Sequence, residues 1–216
     1  MLDAPTIVRL GDDALIVRFA NTISWEVGIR VRAAASCIRA LKIGHVVDVV
    51  PAYTTIAVYF DSAAVGFDAV VDAIAPAIIT SGSEVPEEAA LIEIPVRYDG
   101  PDLVEVADRT GLTVLGVIAR HSSRTYRAYM SGFVPGFAYL GDLDPSLVLA
   151  RRSVPRVRVP AGTVAIAAAQ TAVYPLETPG GWHLIGSTAL TMFDVDRDPP
   201  ALIRAGDTVR FVPVDE

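Results

Sequence analysis

Cysteine is almost absent from this chain. Cys37 stands alone among 216 residues, so no intramolecular disulfide exists, and its apolar helical setting marks a buried, inert thiol. Histidine is nearly as scarce: His45, His121 and His183 are scattered, and no spacing among them or to Cys37 matches a zinc site, so no metal is expected. Basic charge is short as well. The 18 Lys and Arg stand against 25 Asp and Glu, a net charge of −7 with a pI near 4.9, which argues against a nucleic-acid protein. Gly-x-x-x-x-Gly-Lys-Ser/Thr and Gly-x-Gly-x-x-Gly are both missing, which removes the usual phosphate-cradling loops, and so is the Gly-x-Ser-x-Gly elbow of many hydrolases. No run reaches membrane length, and MLDAPTIVRLGDD shows no basic stretch leading into an apolar one. The expected setting is therefore the cytoplasm, without a membrane partner.

What the chain does have is apolar material, 52% of its residues, with a mean hydropathy of +0.43, enough for one large or two small domains. Thr6–Leu10 and Ala14–Phe19 alternate around Gly11-Asp12-Asp13, a hairpin signal. Val27, Val31, Ala34, Ile38 and Leu41 then repeat on one helical face after the cap-rich Asn21–Ser24. Val46–Val50 and Thr54–Phe60 read as two strands, and Phe67–Ile79 as a second helix that Pro76 is expected to bend or shorten. This ββαββα order gives a small α+β domain. The polar Ser81–Ala90 interrupts the periodicity, which places the domains at 1–82 and 91–216 with a linker at 83–90. Beyond it lie a strand over Leu91–Tyr98, helices over Asp102–Thr110 and Leu115–Arg120, and then short strands. These are Tyr126–Met130, Thr163–Ala167, Trp182–Ile185 and Asp207–Pro213, joined by Gly- and Pro-rich turns, a pattern that favours a closed or nearly closed barrel.

The chemistry is expected within 131–188. Arg151, Arg152, Arg156 and Arg158 are either a solvated strand face or, through Arg152 and Arg156, an anion clamp. Pro160-Ala161-Gly162-Thr163 is either a tight turn or a nest of N–H groups and a hydroxyl for an anion. Pro179-Gly180-Gly181-Trp182 and Phe133-Val134-Pro135-Gly136-Phe137 either close the core or bring backbone close to a planar ligand. His121, at the end of a helix, is either a cap or a general acid–base. Asp142, Asp144, Asp194, Asp196 and Asp198 lie beside Gly or Pro and read as turn formers.

In their order, GFVPGFAYLGDLDP, RRSVPRVRVPAGTVAIAAAQTAVYP, TPGGWHLIGSTAL and PPALIRAGDTVRFVPV closely resemble the allophanate hydrolase subunit 1 family. That family includes the B subunit of bacterial 5-oxoprolinase and a sporulation-kinase inhibitor, and it matches subdomains C and D of the carboxyltransferase region of urea carboxylase. The resemblance covers the full length. It implies an α+β protein: an N-terminal ferredoxin-like α/β sandwich followed by a cyclophilin-like β-barrel.

The resemblance also implies one subunit of a hydrolase complex, inactive alone, that opens 5-oxoproline at the expense of ATP. Its partners would be a larger allophanate hydrolase subunit 2-like protein (the C subunit of 5-oxoprolinase) and the A subunit of the same enzyme. Residues matching by position are Phe133, Pro135, Gly136, Phe137, Tyr139, Arg152, Arg156, Pro160, Gly162 and Thr163, then Gln170, Tyr174, Pro179, Gly180, Gly181 and Trp182. The expected catalytic set is His121, Arg152 and Arg156, with Phe133, Pro135, Gly136, Tyr139, Pro160, Gly162, Thr163, Gln170, Tyr174, Gly180, Gly181 and Trp182 around the substrate. Ala168, Ala169 and Ala172 stand where the family usually has glycines, and Ser187-Thr188-Ala189 where it typically reads Arg-Thr-Pro. Two other readings stay open: a binding module that blocks a histidine kinase, and a component of a urea or allophanate system.

Overall fold

A computed structural model describes residues 4–80 and 90–215, in two compact units, Met1–Glu88 and Ala89–Glu216. Residues 83–89 of the expected linker lie outside the described residues. No helix among the described residues is long and apolar enough to cross a membrane.

In the first unit, strands β1 (Thr6–Leu10) and β2 (Ala14–Arg18) form the expected hairpin, followed by helix α1 (Trp25–Ala40), strands β3 (Val46–Pro51) and β4 (Thr55–Phe60), and helix α2 (Phe67–Thr80). The antiparallel sheet runs β1-β2-β4-β3. This is the ferredoxin-like strand order, with one outer strand supplied by the N-terminus. Leu15, Val17, Ile56, Val58 and Phe60 alternate onto one sheet face. They pack with Val27, Val31, Ala34 and Ile38 of α1 and with Val70, Ile74 and Ala77 of α2. The Ser24 hydroxyl caps α1 by accepting the Val27 N–H at 3.2 Å. Two expectations need correcting. Leu41 turns out of the buried face as the residue that ends α1 and is 47% exposed. Pro76 does not shorten α2, because burial of Ile74, Ala77 and Ile78 on either side of it holds the helix through to Thr80.

The second unit begins with β5 (Leu91–Val96), α3 (Leu103–Thr110), α4 (Val114–Ser122), β6 (Thr125–Ser131) and β7 (Ala138–Gly141). It continues with β8 (Arg156–Val159), β9 (Thr163–Ala167), β10 (Gln170–Val173), β11 (Thr178–Gly180), β12 (His183–Ser187) and β13 (Thr208–Pro213). Seven strands form one sheet, β12-β9-β10-β7-β6-β13-β5, antiparallel except for β13 beside β5. A single bridge between Arg97 and Ser187 joins its two edges, so the sheet is a nearly closed barrel. Strands β8 and β11 form a separate two-stranded ribbon.

Every residue of β9 is buried, because both of its faces are covered. Val164 and Ile166 point into the barrel core with Ile94, Tyr126, Leu140, Phe211 and the apolar stripes of α3 and α4. Ala165 and Ala167 face the other way, into a second cluster of Phe137, Val159, Ala172, Tyr174, Trp182 and Leu184. The alanines on that side leave room for the large rings.

Candidate functional site

The outer cluster is organised around Phe137. Its ring lies 4.9 Å from Tyr139, 5.5 Å from Phe133, 5.5 Å from Tyr174 and 5.8 Å from Trp182, all at steep, edge-on angles. The loop from Gly132 to Phe137 is pinned by its own backbone: Gly132 N–H donates to the Phe137 carbonyl and Phe137 N–H to that of Val134, both at 3.1 Å. Pro135 and Gly136 make its tip. This geometry holds Phe133 at φ +75°, a left-handed conformation that L-residues rarely adopt, and leaves its ring 59% exposed. Phe137, Tyr174 and Trp182 are buried, and Tyr139 is half-buried. Burial raises the Tyr174 phenol above its ordinary value. Behind it stands Gly180, where a Cβ would meet the Tyr174 hydroxyl at 2.3 Å, whereas one on Gly181 would meet nothing closer than 3.7 Å. The two adjacent glycines, alike in sequence, therefore differ: the first makes a close approach possible and the second does not need to be glycine for space.

The arginine cluster is not an open anion clamp. Its anion is internal. Asp102, in the turn before α3, is buried, and its Oδ1 accepts from Arg152 Nη1 at 3.2 Å and from Arg156 Nη2 at 2.5 Å. Its other oxygen accepts the Leu184 N–H at 2.7 Å. Arg152 also donates to Glu105 at 2.7 Å, a bond that raises the Arg152 pKa and lowers that of Glu105. Arg158 pairs with Glu177 across the ribbon, and the Arg151 guanidinium lies 5.8 Å above the Trp182 ring. The Arg156 Nη1 is buried with no partner among the described residues. Together these contacts tie the ribbon to α3 and β12.

His121 is also corrected. It lies in the barrel core with no accessible surface, stacked 4.5 Å from Phe211. The Thr171 hydroxyl donates to the Ala165 carbonyl at 3.0 Å, so its oxygen accepts from His121 Nε2–H at 2.9 Å. Nδ1 then accepts from the Tyr98 hydroxyl at 2.7 Å. Both ring nitrogens are occupied, and burial lowers the pKa to about 3, so the imidazole is neutral.

The Pro160–Thr163 segment is a closed turn, not a nest. Gly162 N–H donates to the Tyr174 carbonyl at 2.7 Å, and the Thr163 hydroxyl to that of Pro160 at 2.7 Å. Gly162 holds φ +78°, and a Cβ there would meet the Thr188 carbonyl oxygen at 2.3 Å. Gln170 opens β10 opposite Ala167 and Gly141.

The structure thus brings Phe133, Gly136, Tyr139, Tyr174, Gly180 and Trp182 to one outer face of the barrel, beside Arg151 and the ribbon, with Pro135 on the loop tip. It commits Arg152 and Arg156 to Asp102 and withdraws His121 to the core. Asp102 escaped the sequence analysis because its partners stand about 50 and more positions away. Its local place, as the first residue of the helix expected over Asp102–Thr110, gave no sign of them.

Comparison with known proteins bears on this arrangement. The family described as carboxyltransferase domain, subdomain C and D, matches residues 5–203. The B subunit of 5-oxoprolinase from Bacillus subtilis (strain 168) is 39% identical over 223 residues, covering 97% of this chain and 93% of that protein. The crystal structure of TTHA0988 superposes with a TM-score of 0.85 at 38% identity, covering 94% of this chain; the chain spans 40% of that protein's length. The K. lactis urea amidolyase shares the fold, with a TM-score of 0.76 at 17% identity over 97% of this chain and 15% of its own.

Proposed function

The chain belongs to the carboxyltransferase subdomain C and D family, and from that membership we propose that it is the B subunit of a 5-oxoprolinase-type, amide-opening complex. One observation carries the reading: near full-length identity of 39% with a protein named as the B subunit of 5-oxoprolinase, across both units. In this proposal the chain works beside a larger allophanate hydrolase subunit 2-like protein and a third subunit, and the complex consumes ATP.

The geometry supports a contributing role and not a complete active site. The buried histidine His121 has no route to a substrate, and the described residues offer ATP no phosphate cradle. Arg152, Arg156 and Arg158 are each paired with a carboxylate, and the Gly162 amide and Thr163 hydroxyl are spent on carbonyls. ATP therefore belongs to the partners on this reading. What the chain presents is the exposed Phe133 ring on a pinned loop, with Tyr139 and Arg151 beside it. Aromatic and Arg side chains on a rigid frame are strong anchors for a partner protein.

The test is co-expression with the genomic neighbours, followed by purification through this chain. The reading expects a larger subunit to co-purify and Phe133→Ala to weaken that association at least roughly ten-fold, the scale of a hot-spot residue. Recovery of the chain alone, or of a histidine kinase instead, would replace it.

A further inference from the structure

A second site, away from the aromatic face, lies where the barrel closes. Strands β5 and β12 are the two edges of the seven-stranded sheet, and among the described residues the Arg97–Ser187 bridge alone pairs them, through N–H···O bonds of 2.9 and 2.8 Å. Beside this bridge the edges part around a pocket of about 330 Å³, within the range of roughly 300–1,000 Å³ found for small-molecule sites. Pro95, Arg97, Ser187, Thr188, Ala189 and Val214 line it. Pro95 has no N–H and sits on an edge strand, which discourages a further strand from filling the gap.

The polar groups at this pocket are fixed. The Asp99 carboxylate takes Arg97 Nε at 2.6 Å and the Ser187 hydroxyl at 2.9 Å. Partial burial alone would raise the Asp99 carboxyl, but the bonds from Ser187 and Arg97 hold it below its ordinary value, so it stays ionised. The guanidinium is thereby oriented, and its two terminal nitrogens have no protein partner among the described residues. Thr188 accepts the Leu190 N–H at 3.3 Å through its hydroxyl oxygen, leaving the hydroxyl proton to donate. Pro95, Ala189 and Val214 supply apolar walls.

We propose that this seam pocket binds a small monocarboxylate, its carboxylate on the fork of Arg97 and the Thr188 hydroxyl and its compact apolar body against Pro95, Ala189 and Val214. A planar fork of two N–H donors matches a carboxylate. One arginine already shared with Asp99 provides too little charge for a phosphate dianion, and the walls favour a ring or short alkyl body over a polyol. The contrast with the arginine cluster is one of position: Arg152 and Arg156 are paired with the buried Asp102, and the unpartnered Arg156 Nη1 is itself buried, whereas the Arg97 side chain is 59% exposed beside the pocket. 5-Oxoproline belongs to this ligand class, so the inference deepens the proposed function and rests on it for that one ligand only.

The test is an amide-resolved NMR titration of the full chain with 5-oxoproline, cyclopentanecarboxylate, the neutral lactam 2-pyrrolidone and inorganic phosphate. The carboxylates should saturate, with shifts centred on Arg97, Ser187, Thr188 and Val214; the neutral lactam and phosphate should not. Arg97→Ala should weaken carboxylate binding roughly ten- to hundred-fold, the scale of charge-assisted hydrogen bonds. Because losing Arg97 also loosens the seam, Ala189→Trp, an exposed position, is the second variant, and it should block binding by filling the pocket. Carboxylate shifts that are absent, that centre on Phe133 and Trp182, or that persist in both variants overturn the pocket. Carboxylate binding without 5-oxoproline-dependent turnover in the assembled complex supports the pocket and removes the enzyme reading. Turnover without any carboxylate-induced shift does the reverse.

Discussion

Asp102 collects two guanidinium groups and a backbone amide on one buried carboxylate, and its loss leaves both arginines without their shared anion. Its side chain is 4% exposed, against 29% and 27% for Arg152 and Arg156. Removing one partner of such a pair costs more than the pair contributes, because the remaining charge stays partly desolvated. Asp102→Asn should therefore lower stability by roughly 2–4 kcal/mol, read from the midpoint of urea unfolding. His121 makes a prediction of opposite chemistry. Its pKa falls from 6.5 to about 3 on folding, so below pH 6.5 the unfolded chain takes up a proton that the folded chain refuses. Stability from this group is complete above about pH 6.5 and is lost as pH falls towards 3, at about 1.4 kcal/mol per pH unit. The difference between the wild-type chain and His121→Gln, followed by urea unfolding from about pH 7 to 4, isolates that slope. Neither residue's role was legible in the sequence. His121 looked like a helix cap or a base, and only the hydroxyls of Tyr98 and Thr171, from distant segments, decide the matter. Asp102 stood only as the first residue of an expected helix, and its side chain makes no capping bond.

At the scale of elements, patterning carried most of the information. The hairpin at Gly11, the face of Val27, Val31, Ala34 and Ile38, and the strand at Thr163–Ala167 stand where periodicity puts them. The short strands β7, β10 and β11, of three or four residues, were not legible as separate elements, because runs so short carry no alternation to count. The β9–β10 hairpin shows what a departure in sequence means physically. Ala167 pairs with Gln170, leaving Ala168 and Ala169 as a two-residue turn, and Ala168 holds φ +49°. A positive φ at the first turn position is the place hairpins give to glycine, and an L-residue there carries a steric cost of roughly 1–2 kcal/mol. Ala168 is exposed, so Ala168→Gly should raise stability by about 1 kcal/mol, a shift of a few degrees in the melting temperature. Neither Ala169 nor Ala172 has a positive φ, so the prediction is confined to one of the three alanines.

At the scale of the whole molecule, the chain combines a ferredoxin-like unit with a nearly closed barrel, and the arginines and histidine expected to do chemistry pair with groups of the second unit itself. Arg152 and Arg156, open in sequence between a solvated face and an anion clamp, brace a ribbon, and His121, open between a cap and a base, is core. Among the features that face outward are an aromatic loop on a pinned frame and a seam pocket beside Arg97, which is paired with Asp99 through Nε alone. That division was only partly visible in the sequence: the Gly- and Pro-rich segment marked the right region, but which of its polar groups are consumed internally depends on contacts across about 50 to 80 positions. On the proposed reading, such a chain contributes to a site completed by other subunits. The most direct test is add-back: 5-oxoproline-dependent ATP hydrolysis by the co-expressed partner subunits, measured as this chain is titrated in. No 5-oxoproline-dependent hydrolysis is expected from the partners or from this chain alone, and a rise that saturates at a fixed molar ratio is expected as they are combined. Full hydrolysis by the partners without this chain would contradict it.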